Sequence, residues 1–122
     1  MAISAAESVI MEALWKQSPM TAEEIAALVA PGQQWTDATV RTLINRLLKK
    51  KAITAKKDGR RYLYRPIMKR ADWVHEESQG LLDRMFGGRL APLVTHFSQR
   101  KKLSAQDIAE LKRLIAEIED GR

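Results

Sequence analysis

The sequence predicts a mainly α-helical chain that carries one small β-hairpin. Three observations lead there. Two Ser/Thr-x-x-Glu boxes, Ser4 to Glu7 and Thr21 to Glu24, each precede apolar residues at helical spacing. A third apolar stripe, Val40, Leu43, Ile44, Leu47 and Leu48, falls at i, i+3, i+4, i+7 and i+8. Beyond it the period changes to two, on either side of Asp58-Gly59, which is the signature of a tight hairpin.

Taken in order, Ser4 caps a first helix whose apolar face is Ile10, Ala13 and Leu14, and Ser18-Pro19 stops it. Thr21 caps a second, in which Ile25, Leu28 and Val29 are expected to face inward and Ala30-Pro31-Gly32 to end the helix. Thr36 or Asp37 can cap the third. At about 100° per residue, the side opposite its apolar stripe carries Ala38, Thr42, Asn45 and Lys49, flanked by Thr39, Arg41 and Arg46. Small and hydrogen-bonding residues come first and cations follow, as suits a helix that enters a DNA major groove by its N-terminus.

The hairpin follows Lys49-Lys50-Lys51. With Asp58-Gly59 as a two-residue turn, Lys57 pairs with Arg60, Ala55 with Tyr62 and Ile53 with Tyr64, so Ile53, Ala55, Tyr62 and Tyr64 share a face that can pack on the helices. Lys56, Lys57, Arg60 and Arg61 then crowd the tip, an unfavourable arrangement unless an anionic surface compensates for it.

Charge is concentrated in the same segment. The net charge of +6 divides into −3 over residues 1–35, +10 over 36–70 and −1 over 71–122. Twelve cations against two acids in the middle segment point to a polyanion partner rather than to a solvated face. Other chemistry is not indicated. There is no cysteine, hence no disulfide, thiolate metal site or cysteine nucleophile. His75 and His96 have no second ligand at helical spacing, so no metal or other cofactor is expected. Neither a phosphate-binding glycine loop nor a nucleophile elbow occurs, and the chain is not expected to be an enzyme. Trp15, Trp35 and Trp73 are expected in the core rather than around a ligand. With no long apolar run and no leader pattern at its start, the chain is expected to be cytoplasmic and not to insert in a membrane.

Three helices followed by a basic hairpin is the order of a winged helix-turn-helix, expected over residues 1–68, with the third helix as reader and the hairpin as wing. Residues 69–122 are expected to form a helical dimerisation arm. There Val74, Leu81, Leu82, Met85 and Phe86 lie on one side of a helix closed by Gly87-Gly88, and Leu93, Val94 and Phe97 form a short patch. In the last helix, capped by Ser104, Ile108, Leu111, Ile115 and Ile118 follow a 3-4-3 spacing with Leu114 beside them. An arm set off by Arg65-Pro66 has few partners within one copy, so Leu81, Leu82, Met85, Ile108, Leu111, Leu114, Ile115 and Ile118 are expected at a two-fold interface.

Leu14-Trp15, Thr21-Ala-Glu-Glu-Ile25, Trp35, Thr39-Val40-Arg-Thr42-Leu43, Arg46-Leu47, Lys50-Lys51 and the wing ending in Tyr64 together resemble the penicillinase-repressor (BlaI/MecI/CopY) family. The resemblance extends over nearly the whole chain. It implies a homodimeric winged-helix repressor of antibiotic-resistance genes on double-stranded DNA operators with inverted repeats. By position it implies Ala38, Thr39, Arg41, Thr42, Asn45 and Arg46 as base readers. The phosphate side would be Lys49, Lys50, Lys56, Lys57, Arg60 and Arg61. It also implies release by a membrane sensor protease that cuts before a phenylalanine, here between His96 and Phe97, although the family's usual Asn is His96 in this chain. The missing cysteine motif argues against the copper-responsive branch. Two alternatives stay open: a winged-helix protein-interaction scaffold, and a repressor induced by a small-molecule ligand.

Overall fold

The computed structural model describes residues 2–121. Among them the chain forms six α-helices and one two-stranded antiparallel sheet, in the order α1 (Ala5–Lys16), α2 (Ala22–Gln33), α3 (Asp37–Lys49), β1 (Ile53–Asp58), β2 (Arg61–Pro66), α4 (Arg70–Met85), α5 (Leu90–Gln99) and α6 (Ala105–Asp120). The fold is a winged helix-turn-helix followed by further helices. It divides into two compact units, one ending at Val74 and the other beginning at His75. Sequence reasoning set the boundary at residue 68. In the structure the first turn of α4 belongs with the winged helix, because Trp73 packs on Trp15 with ring centroids 5.4 Å apart and Trp15 Nε1 donates to the Met68 carbonyl at 2.9 Å.

Both N-terminal boxes form. Ser4 Oγ accepts from Glu7 N–H while Glu7 Oε1 accepts from Ser4 N–H, and Thr21 and Glu24 repeat the exchange. The core of the first unit is built from Ile10, Met11 and Leu14 of α1, Ile25 and Val29 of α2, Val40, Ile44 and Leu47 of α3, and Ile53 at the start of β1. Each fully buried aliphatic side chain contributes about 1.5 to 3 kcal/mol.

Two expectations for α2 are corrected. The helix continues through Pro31 to Gln33 and ends on left-handed Gln34, with Trp35 N–H closing onto the Ala30 carbonyl at 3.1 Å. The N–H that Pro31 lacks would have bonded to Ala27, on the exposed side of the last turns, so its loss is tolerated. Leu28 is 58% exposed rather than inward. The buried stripe runs through Ala22, Ile25, Ala26 and Val29, with small residues at two of the four positions where α2 lies against its neighbours.

The hairpin register also differs, by two. Asp58 pairs with Arg61, Lys57 with Tyr62, Ala55 with Tyr64 and Ile53 with Pro66, which makes Gly59-Arg60 the turn. Gly59 alone of the two takes a positive φ, of 65°. This is the demand of a type II′ turn, which spares Asp58 the left-handed conformation that the expected turn required. A shift of two preserves the faces, but Ala55 and Tyr62 are exposed and only Ile53 and Tyr64 reach the core. Met20 exchanges backbone hydrogen bonds with Tyr64 at 2.8 and 3.2 Å and so occupies the outer edge of β2.

From His75 onward no described residue is buried. The three helices of this unit leave Met85, Ile115 and Ile118 more than half exposed. Gly87 and Gly88, at φ of 60° and 76°, turn the chain from α4 into α5 through two successive left-handed residues, which glycine takes without strain.

Candidate nucleic-acid interface

The face of α3 that leaves the core is set by its cap and its stripe. Thr36 Oγ1 accepts from Thr39 N–H at 3.2 Å, and Val40, Leu43, Ile44 and Leu47 turn inward. Ala38, Arg41, Thr42, Asn45, Arg46 and Lys49 are consequently exposed on one side. Thr39 is half-buried, with its hydroxyl 3.1 Å from that of Thr36, and Thr42 Oγ1 donates to the Ala38 carbonyl at 3.0 Å. Thr42 therefore presents its methyl group and the two acceptor lone pairs of its hydroxyl oxygen.

The cations differ in what they already hold. Arg41 Nη2 donates to Glu23 Oε1 of α2 at 2.9 Å, and Arg61 donates through Nε and Nη2 to Asp58 Oδ2 across the turn at 3.3 and 3.2 Å. Lys56, Lys57, Arg60 and Arg61 all lie exposed around the hairpin tip. Lys50 is placed otherwise than sequence reasoning expected. Its ammonium donates to Glu7 Oε1 and to the Ala2 carbonyl, so its charge is compensated inside the fold. Glu7 is 1% exposed. Burial pushes its carboxyl up, but the hydrogen bonds from Lys50 and Ser4 outweigh this and hold it below the ordinary carboxylate range. The pair joins the C-cap of α3 to the first turn of α1.

Glu23 and Glu7 are the residues that sequence reasoning missed. Nothing local signals either contact, since Arg41 lies 18 and Lys50 lies 43 residues from its partner. Among the described residues no His/Cys/Asp/Glu cluster could hold a metal ion, and no helix is long and apolar enough to cross a membrane.

An exposed helix bearing short polar and cationic side chains, beside a basic hairpin, gives the chain the architecture of the winged-helix class of DNA-binding proteins. Comparison with known proteins gives the particular family. Residues 3–117 match the penicillinase repressor family, and the chain belongs to it. It is 31% identical over 115 residues to the penicillinase repressor of Bacillus licheniformis, covering 94% of this chain and 90% of that protein. It is 30% identical to the methicillin resistance regulatory protein MecI of Staphylococcus aureus, covering 93% and 92%. Among solved structures it resembles the Bacillus licheniformis BlaI monomeric form in complex with the blaP half-operator. That likeness has a TM-score of 0.53 and 32% identity, over 59% of this chain and 88% of that one.

Proposed function

We propose that the chain is a dimeric, sequence-specific transcriptional repressor that lays α3 in the major groove of each half of a palindromic operator. Ala38, Arg41, Thr42, Asn45 and Arg46 would face base edges, with Thr39 mainly supporting the cap. Lys49, Lys56, Lys57, Arg60 and Arg61 would hold phosphates, and Lys50 would support the fold rather than the DNA. The observation that carries this reading is the continuous exposed face from Ala38 to Lys49, which bears no acidic residue and stands beside an exposed tip with four cations. The BlaI likeness supports it, since that protein is in complex with a half-operator.

The dimer rests on the second unit. Helices with no buried residue and apolar side chains along α4 and α6 need a cover, and a second copy supplies the same patch by two-fold symmetry. Leu81, Leu82, Met85, Ile108, Leu111, Leu114, Ile115 and Ile118 would meet their counterparts there. Release would follow a cut between His96 and Phe97 by a membrane sensor protease, which separates α6 from the rest of the chain. That bond lies inside α5, so its last turn must unwind before a protease can hold it in an extended form. A chain ending at His96 should bind operator at least about tenfold more weakly than the intact one. Undiminished affinity rules out this release.

Selection of bound sequences from a random duplex pool tests the reading as a whole, followed by salt titration on the best site and on random DNA. A palindrome should emerge, and log affinity should fall with log salt at about −0.9 per phosphate neutralised. Asn45→Ala should cost about 1 to 3 kcal/mol on the best site and much less on random DNA. Equal losses on both remove Asn45 as a base reader. Arg60→Ala with Arg61→Ala should weaken both duplexes and flatten the salt slope by about one to two units.

A further inference from the structure

We infer that Glu23 determines specificity: it holds the Arg41 guanidinium for base reading and keeps it off the phosphate backbone. The inference rests on the operator-reading function proposed above and deepens it. Its basis is the junction of α2, α3 and the wing. A recess of about 120 Å³ there brings Glu23 of α2 together with Arg41 of α3 and with Arg60 and Arg61 of the hairpin. An acidic residue among three arginines weakens attraction to any polyanion. Its presence at that junction, beside the acid-free face of α3, needs a compensating use.

The geometry shows one. Arg41 is long and exposed, with 58% of its side chain accessible, and an unrestrained guanidinium at the rim of a DNA-binding face is readily captured by the nearest phosphate. Glu23 Oε1 accepts from Nη2 at 2.9 Å, and among the described residues this is the one hydrogen bond that the Arg41 side chain makes. The other N–H groups of the planar fork are left for an acceptor pair such as guanine O6 and N7. Glu23 lies in the first turn of α2, where the helix dipole favours an anion, and its own backbone N–H, Arg41 and the Thr21 hydroxyl keep its carboxyl below the ordinary range. The carboxylate thus persists at neutral pH, and it repels a phosphate that approaches Arg41 from the α2 side. Specificity is a difference of affinities, and a repulsive group that penalises the wrong docking raises it as effectively as a new contact does.

The test uses the full chain with Glu23→Gln, an uncharged side chain of the same shape, alone and combined with Arg41→Ala. The best site from the wild-type selection and a random duplex are titrated over a range of salt, with thermal unfolding recorded for each variant. Glu23→Gln should bind random DNA about threefold to tenfold more tightly, steepen the salt slope by about one as Arg41 moves to a phosphate, and lower the ratio of specific to random affinity about tenfold. The lost base preference should fall at the position that Arg41→Ala also relaxes. In the Arg41→Ala background Glu23→Gln should leave base preference unchanged. If the wild type prefers its site and Glu23→Gln retains both ratio and slope, the inference is overturned while the repressor function stands. A uniform loss on both duplexes with a lowered unfolding temperature would make Glu23 merely structural and also overturns it. A wild type with no site preference removes the repressor reading, and the inference with it.

Discussion

The two units of this chain send similar apolar residues to different destinations. Every buried residue among those described lies at or before Ile53, while α5, α6 and the part of α4 beyond Val74 bury none. Both regions have amphipathic helices with sound caps, such as the Ser4 box on α1 and Ser104 Oγ accepting from Asp107 N–H on α6. Helix formation alone therefore does not separate them. The first unit closes three helices and a hairpin around one core, and the second presents Met85, Ile115 and Ile118 outward. In the dimer proposed above, a region of that kind would gain stability from association, so its folding and its function would respond to concentration in a way the first unit's do not.

The sharpest separation should come from truncating one buried leucine. Leu47 is fully buried at the centre of the first unit, and Leu47→Ala should destabilise that unit by about 3 to 5 kcal/mol through lost burial and the cavity left behind. Ile118, 69% exposed, should by contrast be nearly neutral for the folding of a single copy when changed to Ala. Denaturant unfolding followed by tryptophan fluorescence reports the first unit, since Trp15, Trp35 and Trp73 all pack on its core. Comparable losses from both changes would erase the distinction between the regions.

The next effect belongs to the second unit. Leu111→Asp with Ile115→Asp would place four carboxylates in the proposed two-fold interface, where desolvated charge costs several kcal/mol. Sedimentation should show monomers, and affinity for a palindrome should fall by roughly a hundredfold as the avidity of two linked half-sites disappears. The first unit should keep its unfolding midpoint. A variant that remains dimeric would show that another surface joins the copies.

How much of this was legible in the sequence depended on the distance over which each feature is decided. The capping boxes at Ser4 and Thr21 and the stripe of α3 are local, and they form as their spacing requires. The hairpin was legible in existence but not in register. Asp58-Gly59 and Gly59-Arg60 are both admissible turns, and the choice fell to the one in which glycine alone takes a positive φ. Leu28 was misplaced because helical spacing permits two neighbouring stripes, and Ala22 and Ala26 allow the one that lets α2 approach closely. At the candidate interface the exposed face of α3 and the basic tip were legible from residue types. The contacts of Arg41 with Glu23 and of Lys50 with Glu7 were not, because tertiary packing alone brings those pairs together.

The smallest effect tests whether that packing, rather than DNA, is the use of Lys50. Glu7 accepts from both Ser4 N–H and Lys50 Nζ, so Glu7→Gln keeps the shape and most of the cap while removing the charge. Because the Lys50 side chain is 35% exposed, water screens part of the pair, and the loss at neutral pH should be about 1 to 2 kcal/mol. Its pH dependence identifies the origin. The folded Glu7 carboxyl lies below its ordinary value of 4.5, so its contribution is complete above that pH and vanishes as pH falls through the folded value. The stability gap between wild type and Glu7→Gln should hence be constant from pH 7 to about 5 and close on further acidification. DNA binding by the folded variant should keep the wild-type salt slope, since Lys50 holds no phosphate in this account. A gap independent of pH would mean that shape rather than charge carries the contribution. A flatter salt slope in Lys50→Gln than in the wild type would return Lys50 to the DNA face and leave Glu7 without the partner that explains its burial.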